Sequence, residues 1–289
     1  MLLLLALLQQ IDSTVPVERG QRLEVNAFAG EVAVRVWNRD AMRVQADPAG
    51  STGVEIDRSA TVVTLRTSGR RGPPSNVDMQ ITVPAWMPLD LSGVNTEFSI
   101  TGTRAAITAE TVQGDVTAQG GEGLVFLRSV QGSVSLTGAK GRIEVHSVNA
   151  DVEVSASSGE VTAETVNGDV TLDRVDATSL TATSLNGDVS YDGPIRSNGR
   201  YALSTHNGDV TVAVAEGTSA SVAVSTFNGE FASEFPVTLT ETRKGKRFSF
   251  RLGSGSAQVT LESFQGTIQL VRPGNVRSAR GDDHDDDEE

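Results

Sequence analysis

Six acidic residues occupy one position of a repeating pattern: Asp115, Asp151, Asp169, Asp188, Asp209 and Glu230. If successive repeats stack as strands of one sheet, neighbours in this row lie about 4.8 Å apart. Carboxylates at that spacing repel by about 1 kcal/mol even in water. A hard, oxygen-seeking cation would relieve the repulsion, so this row is where the chain could recruit Ca2+. The competing reading is that each carboxylate bonds its own turn and faces solvent. The calcium pattern Gly-Gly-x-Gly-x-Asp is absent, which favours the turn.

Other chemistry finds little support. There is no cysteine, which removes thiolate metal sites, thiol catalysis, disulfides and a lipid-bearing Cys anchor. Thr111, Ser129, Ser147, Thr165, Ser184, Thr205, Thr226 and Ser263 form a column of hydroxyls. A nucleophile among them needs an adjacent base, and the three histidines, His146, His206 and His284, are scattered. The column reads instead as hydroxyls bonding neighbouring repeats. The alternative to a non-catalytic protein is a carbohydrate-active parallel β-helix enzyme, a hydrolase or lyase. Such an enzyme needs converging acids in a groove, and the acids here form a uniform row. The six-residue beat of left-handed acyltransferase helices is missing as well. No catalytic or cofactor-binding set is expected.

The elements that position these residues are set by corners. Val94-Asn95-Thr96-Glu97, Val112-Gln113-Gly114-Asp115, Val130-Gln131-Gly132-Ser133, Val148-Asn149-Ala150-Asp151 and Val166-Asn167-Gly168-Asp169 follow one another at 18-residue steps. The steps lengthen to 19, 21 and 21 through Asn186-Gly187, Asn207-Gly208 and Asn228-Gly229, and the last corner, Gln265-Gly266, comes 37 residues later. Self-similarity at a fixed period marks a solenoid, whose units bury their faces only by stacking. Apolar rows alternate with polar ones on both sides of each corner, as in Leu89/Leu91, Ile107/Ala109 and Val125/Leu127 before it and Val116, Val134, Val152 and Val170 after it. The amides read as a stacked ladder, and the following Gly supplies a positive φ. Asn167, Gly168, Asn186, Gly187, Asn207 and Gly208 are the structural corners. The fold expected is an all-β parallel β-solenoid, a single-stranded β-helix, right-handed by the general preference of parallel crossovers.

Around the repeats, residues 1–11 (MLLLLALLQQI) read as a signal peptide or its remnant, with a buried strand as the competing reading. Residues 12–92 read as an N-terminal β section capping the solenoid, with strands at 22–25, 31–37, 42–46, 54–57, 62–67 and 77–83 and a loop at 69–76. Residues 93–272 are the repeats, with a hairpin inserted at 237–252 whose tip carries Arg243, Lys244, Lys246 and Arg247. Residues 273–289 form an acidic tail expected to be disordered, in which Arg280-Gly281-Asp282 spells an integrin-type tripeptide. The net charge is −13; seven acids lie in residues 281–289, leaving 13 − 7 = 6 excess negative charges on the body. A body of that sign repels phosphate backbones, so nucleic acid is not an expected partner. No run is long enough for a spanning helix.

The motifs Ile81-Thr82-Val83-Pro84, Val166-Asn167-Gly168-Asp169-Val170 and Gly253-Ser254-Gly255-Ser256 resemble a bacterial family labelled "putative adhesin", a domain of unknown function with repeated VNGDV corners. Leu23-Glu24-Val25 with Val36-Trp37-Asn38-Arg39-Asp40 is similar to its opening strands, and the likeness covers roughly residues 14–272. It implies an exported, non-catalytic surface protein; the repeat, the leader-like start and the lack of a catalytic constellation point to a scaffold, periplasmic, cell-surface or secreted, that presents long flat faces to a protein or glycan partner. It attaches no active-site residue to these motifs.

Overall fold

The computed structural model describes residues 11–48, 52–69, 76–237, 240–241 and 246–276. The leader, the Arg280-Gly281-Asp282 tripeptide, the rest of the acidic tail and the hairpin-tip residues Arg243 and Lys244 lie outside the described residues. All 25 elements are strands, mostly parallel, in one open sheet. The fold is the parallel β-solenoid that the corner repeat predicts. Two compact units divide the chain, Met1–Ser147 and Val148–Glu289.

In the first unit, parallel stacking starts well before the 18-residue beat. The segments expected at 22–25 and 31–37 are one strand, Arg22–Trp37, bent at Gly30. It pairs in parallel along its length with Leu89–Thr103, bringing Ala29 opposite Asn95 and Glu31 opposite Glu97. Phe28-Ala29-Gly30-Glu31 is therefore the first corner. On its other side lie Val62–Gly69 and Val77–Pro84, also parallel, so the chain's second coil stacks outside its first. Antiparallel strands then cover that edge: Thr52–Arg58 on Val62–Gly69, and Ala41–Pro48 with Ile11–Pro16 on Val77–Pro84. These strands cover the backbone groups of the parallel edge.

The second unit repeats the device at its far end. Strands Ser158–Glu164, Asp176–Asn186 and Arg200–Asn207 stack in chain order. Next comes Ala257–Gln265, and only then Ala220–Thr226. The partner row agrees: Ile268–Val271 lies between Val210–Ala213 and Phe231–Ser233. The final coil is thus inserted between two that precede it. Lys246–Leu252 runs antiparallel on Ala220–Thr226 and pairs with Thr240–Glu241, covering that edge.

Each departure from 18 residues has a physical cause. The step of 19 comes from a bulge, one extra residue (Thr178) in Asp176–Asn186 opposite Gly159 and Glu160. The first step of 21 accommodates a turn at residues 193–199. Tyr191 and Tyr201 fill its base with ring centroids 5.7 Å apart. Tyr191 Oη donates to the carbonyls of Val175 and Pro194 at 3.0 and 3.1 Å, and Tyr201 Oη donates to Ala177 O at 2.8 Å. Asp176 and Arg196 pair across the turn through both carboxylate oxygens. The second step of 21 spans two coil levels, because the inserted coil must be bypassed.

Burial pushes both tyrosine hydroxyls above their ordinary range. A raised acid pKa keeps the proton on the folded chain, so stability is full below the unfolded value near 10 and falls as pH rises past it. Alkaline titration should show this loss. Tyr191→Phe with Tyr201→Phe should flatten the slope while lowering stability at pH 7 by about 1–3 kcal/mol. An unchanged slope in the double variant would mean other groups drive the alkaline transition. At the acid end, the Arg196 hydrogen bonds hold the Asp176 carboxyl below its ordinary value. Its contribution is lost as pH falls through that lowered value and is small, since both groups are solvated.

Two residues of the segment read as tail, Gly274 and Val276, make contacts with the body. Val276 is buried against Ala213 and Val271, and Gly274 N–H donates to Asp192 Oδ2 at 3.1 Å. Among the described residues no helix is long and apolar enough to cross a membrane.

Candidate functional site

The corner columns behave differently from one another. The amides form the expected ladder: Asn207 Nδ2 donates to Asn186 Oδ1 at 2.7 Å, Asn186 to Asn167 at 2.8 Å and Asn167 to Asn149 at 2.9 Å. Gln113 donates to Gln131 likewise. Behind it, the hydroxyl column is buried and donates to corner carbonyls of the neighbouring coil. Ser129 reaches Gly114 O, Ser184 reaches Gly168 O, Thr205 reaches Gly187 O and Ser263 reaches Gly208 O, all at 2.8–3.0 Å. Each of these four satisfies a backbone acceptor that the bend removes from the sheet ladder, whereas Thr111 donates to Gln113 O of its own corner and Thr226 Oγ1 accepts from Gly229 N–H.

The acidic row has a definite structural task. Asp151 Oδ1 accepts the backbone N–H of Asp169, Asp169 that of Asp188, and Asp188 that of Asp209, each at 2.8 Å. Asp115 accepts from Ser133 N–H at 2.8 Å, and Asp209 from Thr267 N–H at 2.6 Å. The bond runs to the next coil, not to the residue's own turn. Charge-assisted bonds of this kind exceed the row's own repulsion. Glu230 does not follow Asp209 as the spacing predicts, because the inserted coil places Thr267 between them. Among the described residues no group of three or more His, Cys, Asp or Glu converges as a metal site would require.

What sequence reasoning missed is the direction of the apolar corner residue. Hydrophobic type suggests burial, yet Val166, Leu185, Phe264 and Phe227 are 37–64% exposed. The strand pairing puts the corner residues of the second unit in spatial order Val166, Leu185, His206, Phe264, Phe227. The last three rings stack: His206 on Phe264 at 4.5 Å and 8°, Phe264 on Phe227 at 4.8 Å and 5°. The ring spacing is the strand spacing, so the stack costs the fold no adjustment. In the first unit Phe28, Val94 and Val112 are exposed at the same column.

Beside the ring stack runs a groove of about 650 Å³. Its apolar wall is Leu185, His206, Phe264 and Phe227; its polar side includes Thr183, Ser204, Ser225 and Glu262. Arg247 stands at one end, 3.3 Å from Ser225 Oγ. The chemistry on offer is contact: apolar surface, ring edges, and hydroxyls able to donate or accept. Glu262 is the one carboxylate in the lining. The nearest acid in its column, Glu164, is three strands away by register, about 14 Å. A glycosidase pair works at about 5–9.5 Å.

The family model described as Toastrack DUF4097 matches residues 21–271. The chain belongs to the Toastrack DUF4097 family. An "Uncharacterized 11.4 kDa protein" of Streptomyces fradiae is 33% identical over 84 residues, covering 27% of this chain and 85% of that protein. Among solved structures, a "putative adhesin" of Bacteroides fragilis is 12% identical with a TM-score of 0.41, covering 91% of this chain and 97% of its own. A "putative cell adhesion protein" of Clostridium sporogenes is 10% identical with a TM-score of 0.25, covering 91% and 99%. The Toastrack match is the family that the VNGDV corners pointed to.

Proposed function

We propose that this Toastrack chain is a non-catalytic binding scaffold of the adhesin type, acting outside the cytoplasm, and that the exposed corner stripe of the second unit is its contact surface. The observation that carries the reading is the ring stack. Three exposed rings in a row, continued by Leu185 and Val166, form a contiguous apolar strip on an acidic, polar body. Strips of that kind on a folded surface mark interaction sites. The backbone and the buried hydroxyls hold the strip rigid, so little ordering entropy opposes association. A protein or glycan surface with apolar faces and hydroxyl or amide partners fits both walls of the groove.

Purified protein on a glycan array and in envelope-fraction pull-down provides the test. Wild type is expected to retain partners that Leu185→Ser/Phe264→Ser loses by at least about tenfold, the melting temperature being matched through a surface-only control. Equal retention by both proteins would remove the stripe from the account. Release of sugar fragments from any array glycan would replace the scaffold reading with an enzymatic one.

A further inference from the structure

The coil at residues 257–271 is the last in the chain and not the last in the stack. It lies between the coils at 200–213 and 220–233 in both rows of strands. Both walls of this slot meet it in one register. Val259 faces Tyr201 on one side and Val222 on the other, and Leu261 faces Leu203 and Val224. Phe264 fills the gap between His206 and Phe227, and Thr267 N–H completes the Asp209 carboxylate. Both walls are made before the filler, because residues 200–233 precede it in the chain.

The tether is a short glycine–serine turn. Residues 253–256 read Gly-Ser-Gly-Ser, with Gly253 at φ 54° and Gly255 at φ 78° in a tight turn closed by Gly255 N–H to Leu252 O at 3.1 Å. Straightening that turn gives up the hydrogen bonds of Ser254 and Ser256 to Ser219 and of Ser221 to Gly255 O, and leaves the strand pairing of residues 257–265 with both walls unchanged. A wall that recognises the coil only through strand pairing and repeated side chains cannot distinguish its own coil from an identical one. Exchange of an identical element between copies costs little when the hinge alone changes.

From this topology we infer that the slot between the 200–213 and 220–233 coils is a docking site for the 257–271 coil of a second copy of this chain, giving a reciprocal exchanged dimer. The inference uses no feature of the binding stripe's partner. Local concentration favours a chain's own coil when chains fold apart, and the partner's coil competes when they fold together. Exchange is therefore set at folding and scales with chain concentration.

The absence of native cysteine allows a direct test. Ala202 and Thr260 are exposed register partners on adjacent strands, within the Cα separation that a disulfide spans. The full chain carrying Ala202→Cys/Thr260→Cys is refolded while reduced, at rising concentration, and then oxidised. Own-coil insertion gives an intrachain bond and a monomer on a non-reducing gel; exchange gives a covalent dimer. The expected result is a covalent dimer whose share rises with concentration at refolding. Ser204→Cys/Glu262→Cys repeats the test at the neighbouring register pair should the first variant fail to fold. Monomer at every concentration overturns the inference, and so does a dimer by light scattering whose disulfides are all intrachain.

Discussion

Replacing Gly187 by Ala is expected to destabilise the second unit by at least about 3 kcal/mol, lowering the melting temperature by roughly 6–12 °C. Gly187 sits at φ 150°, and a Cβ there would stand 2.0 Å from Gly168 O, a backbone atom that cannot step aside. Gly208 and Gly266 repeat the contact at 2.2 and 2.0 Å from the preceding corner's oxygen. At Gly187, Gly208 and Gly266 glycine therefore meets two demands together, positive-φ backbone and close approach of stacked corners. Gly217→Ala separates them. Gly217 has φ 81° with nothing within 4 Å of its missing Cβ. That variant should lose only about 1 kcal/mol, the conformational share alone. Equal losses in the two variants would show that stacking does not press on the corners.

The second large effect lies at the first 18-residue corner and depends on two positions at once. Gly93 occupies the hydroxyl column, where every later coil has Ser or Thr, while Thr96 occupies the Gly position. Thr96 is fully buried, and its Oγ1 alone among buried side-chain atoms of the described residues has no hydrogen-bond partner. A Cβ on Gly93 would stand 2.6 Å from Thr96 Cβ and 3.1 Å from Phe98 Cε2. The two residues have exchanged places, Thr96 swinging into the space that a column hydroxyl fills elsewhere. Gly93→Thr alone should cost about 2–3 kcal/mol through overpacking. Thr96→Gly alone should cost about 1 kcal/mol through the void and added chain freedom. Together they should cost almost nothing, because a threonine at 93 regains a corner carbonyl to bond. The coupling is then at least about 2 kcal/mol in a double-mutant cycle followed by urea unfolding. Additive losses would mean that position 93 is closed to a side chain for some reason other than Thr96.

The contrast between legible and illegible features follows from what spacing encodes. Alternation around the corners set the inward rows correctly, because burial of Leu127, Val145, Val170 and their column mates is dictated by period two. Coil order is different. Gln265 and Asn228 head coils with interchangeable registers, so either could follow Asn207, and only the edge-closing strand Lys246–Leu252 on Ala220–Thr226 decides between them. The corner at Phe28-Ala29-Gly30-Glu31 was hidden because Ala29 takes the amide position and the next coil in sequence stacks on its far side. Its likeness to Phe227-Asn228-Gly229-Glu230 was the available signal. The stripe was not singled out because residue type alone does not fix the direction of a side chain at a bend. A corner residue between an outward amide and an inward hydroxyl lies on the convex side of the bend, where Leu185 remains 46% exposed. Spacing alone could not show that Thr267 separates Asp209 from Glu230, nor that each of these aspartates bonds an N–H of the neighbouring coil, 18–21 residues away for Asp151, Asp169 and Asp188 and 58 for Asp209.

The most direct measurement of the stripe's role uses the chain's lack of cysteine. Leu185→Cys places one thiol on the stripe, and Glu153→Cys places one on the exposed outer face of the other strand row. Maleimide labelling rates are taken for each protein free and bound to the partner captured in the array or pull-down. The account predicts that binding slows labelling at residue 185 by at least about tenfold and leaves residue 153 unchanged. Bound protein that labels at 185 as fast as free protein would contradict it.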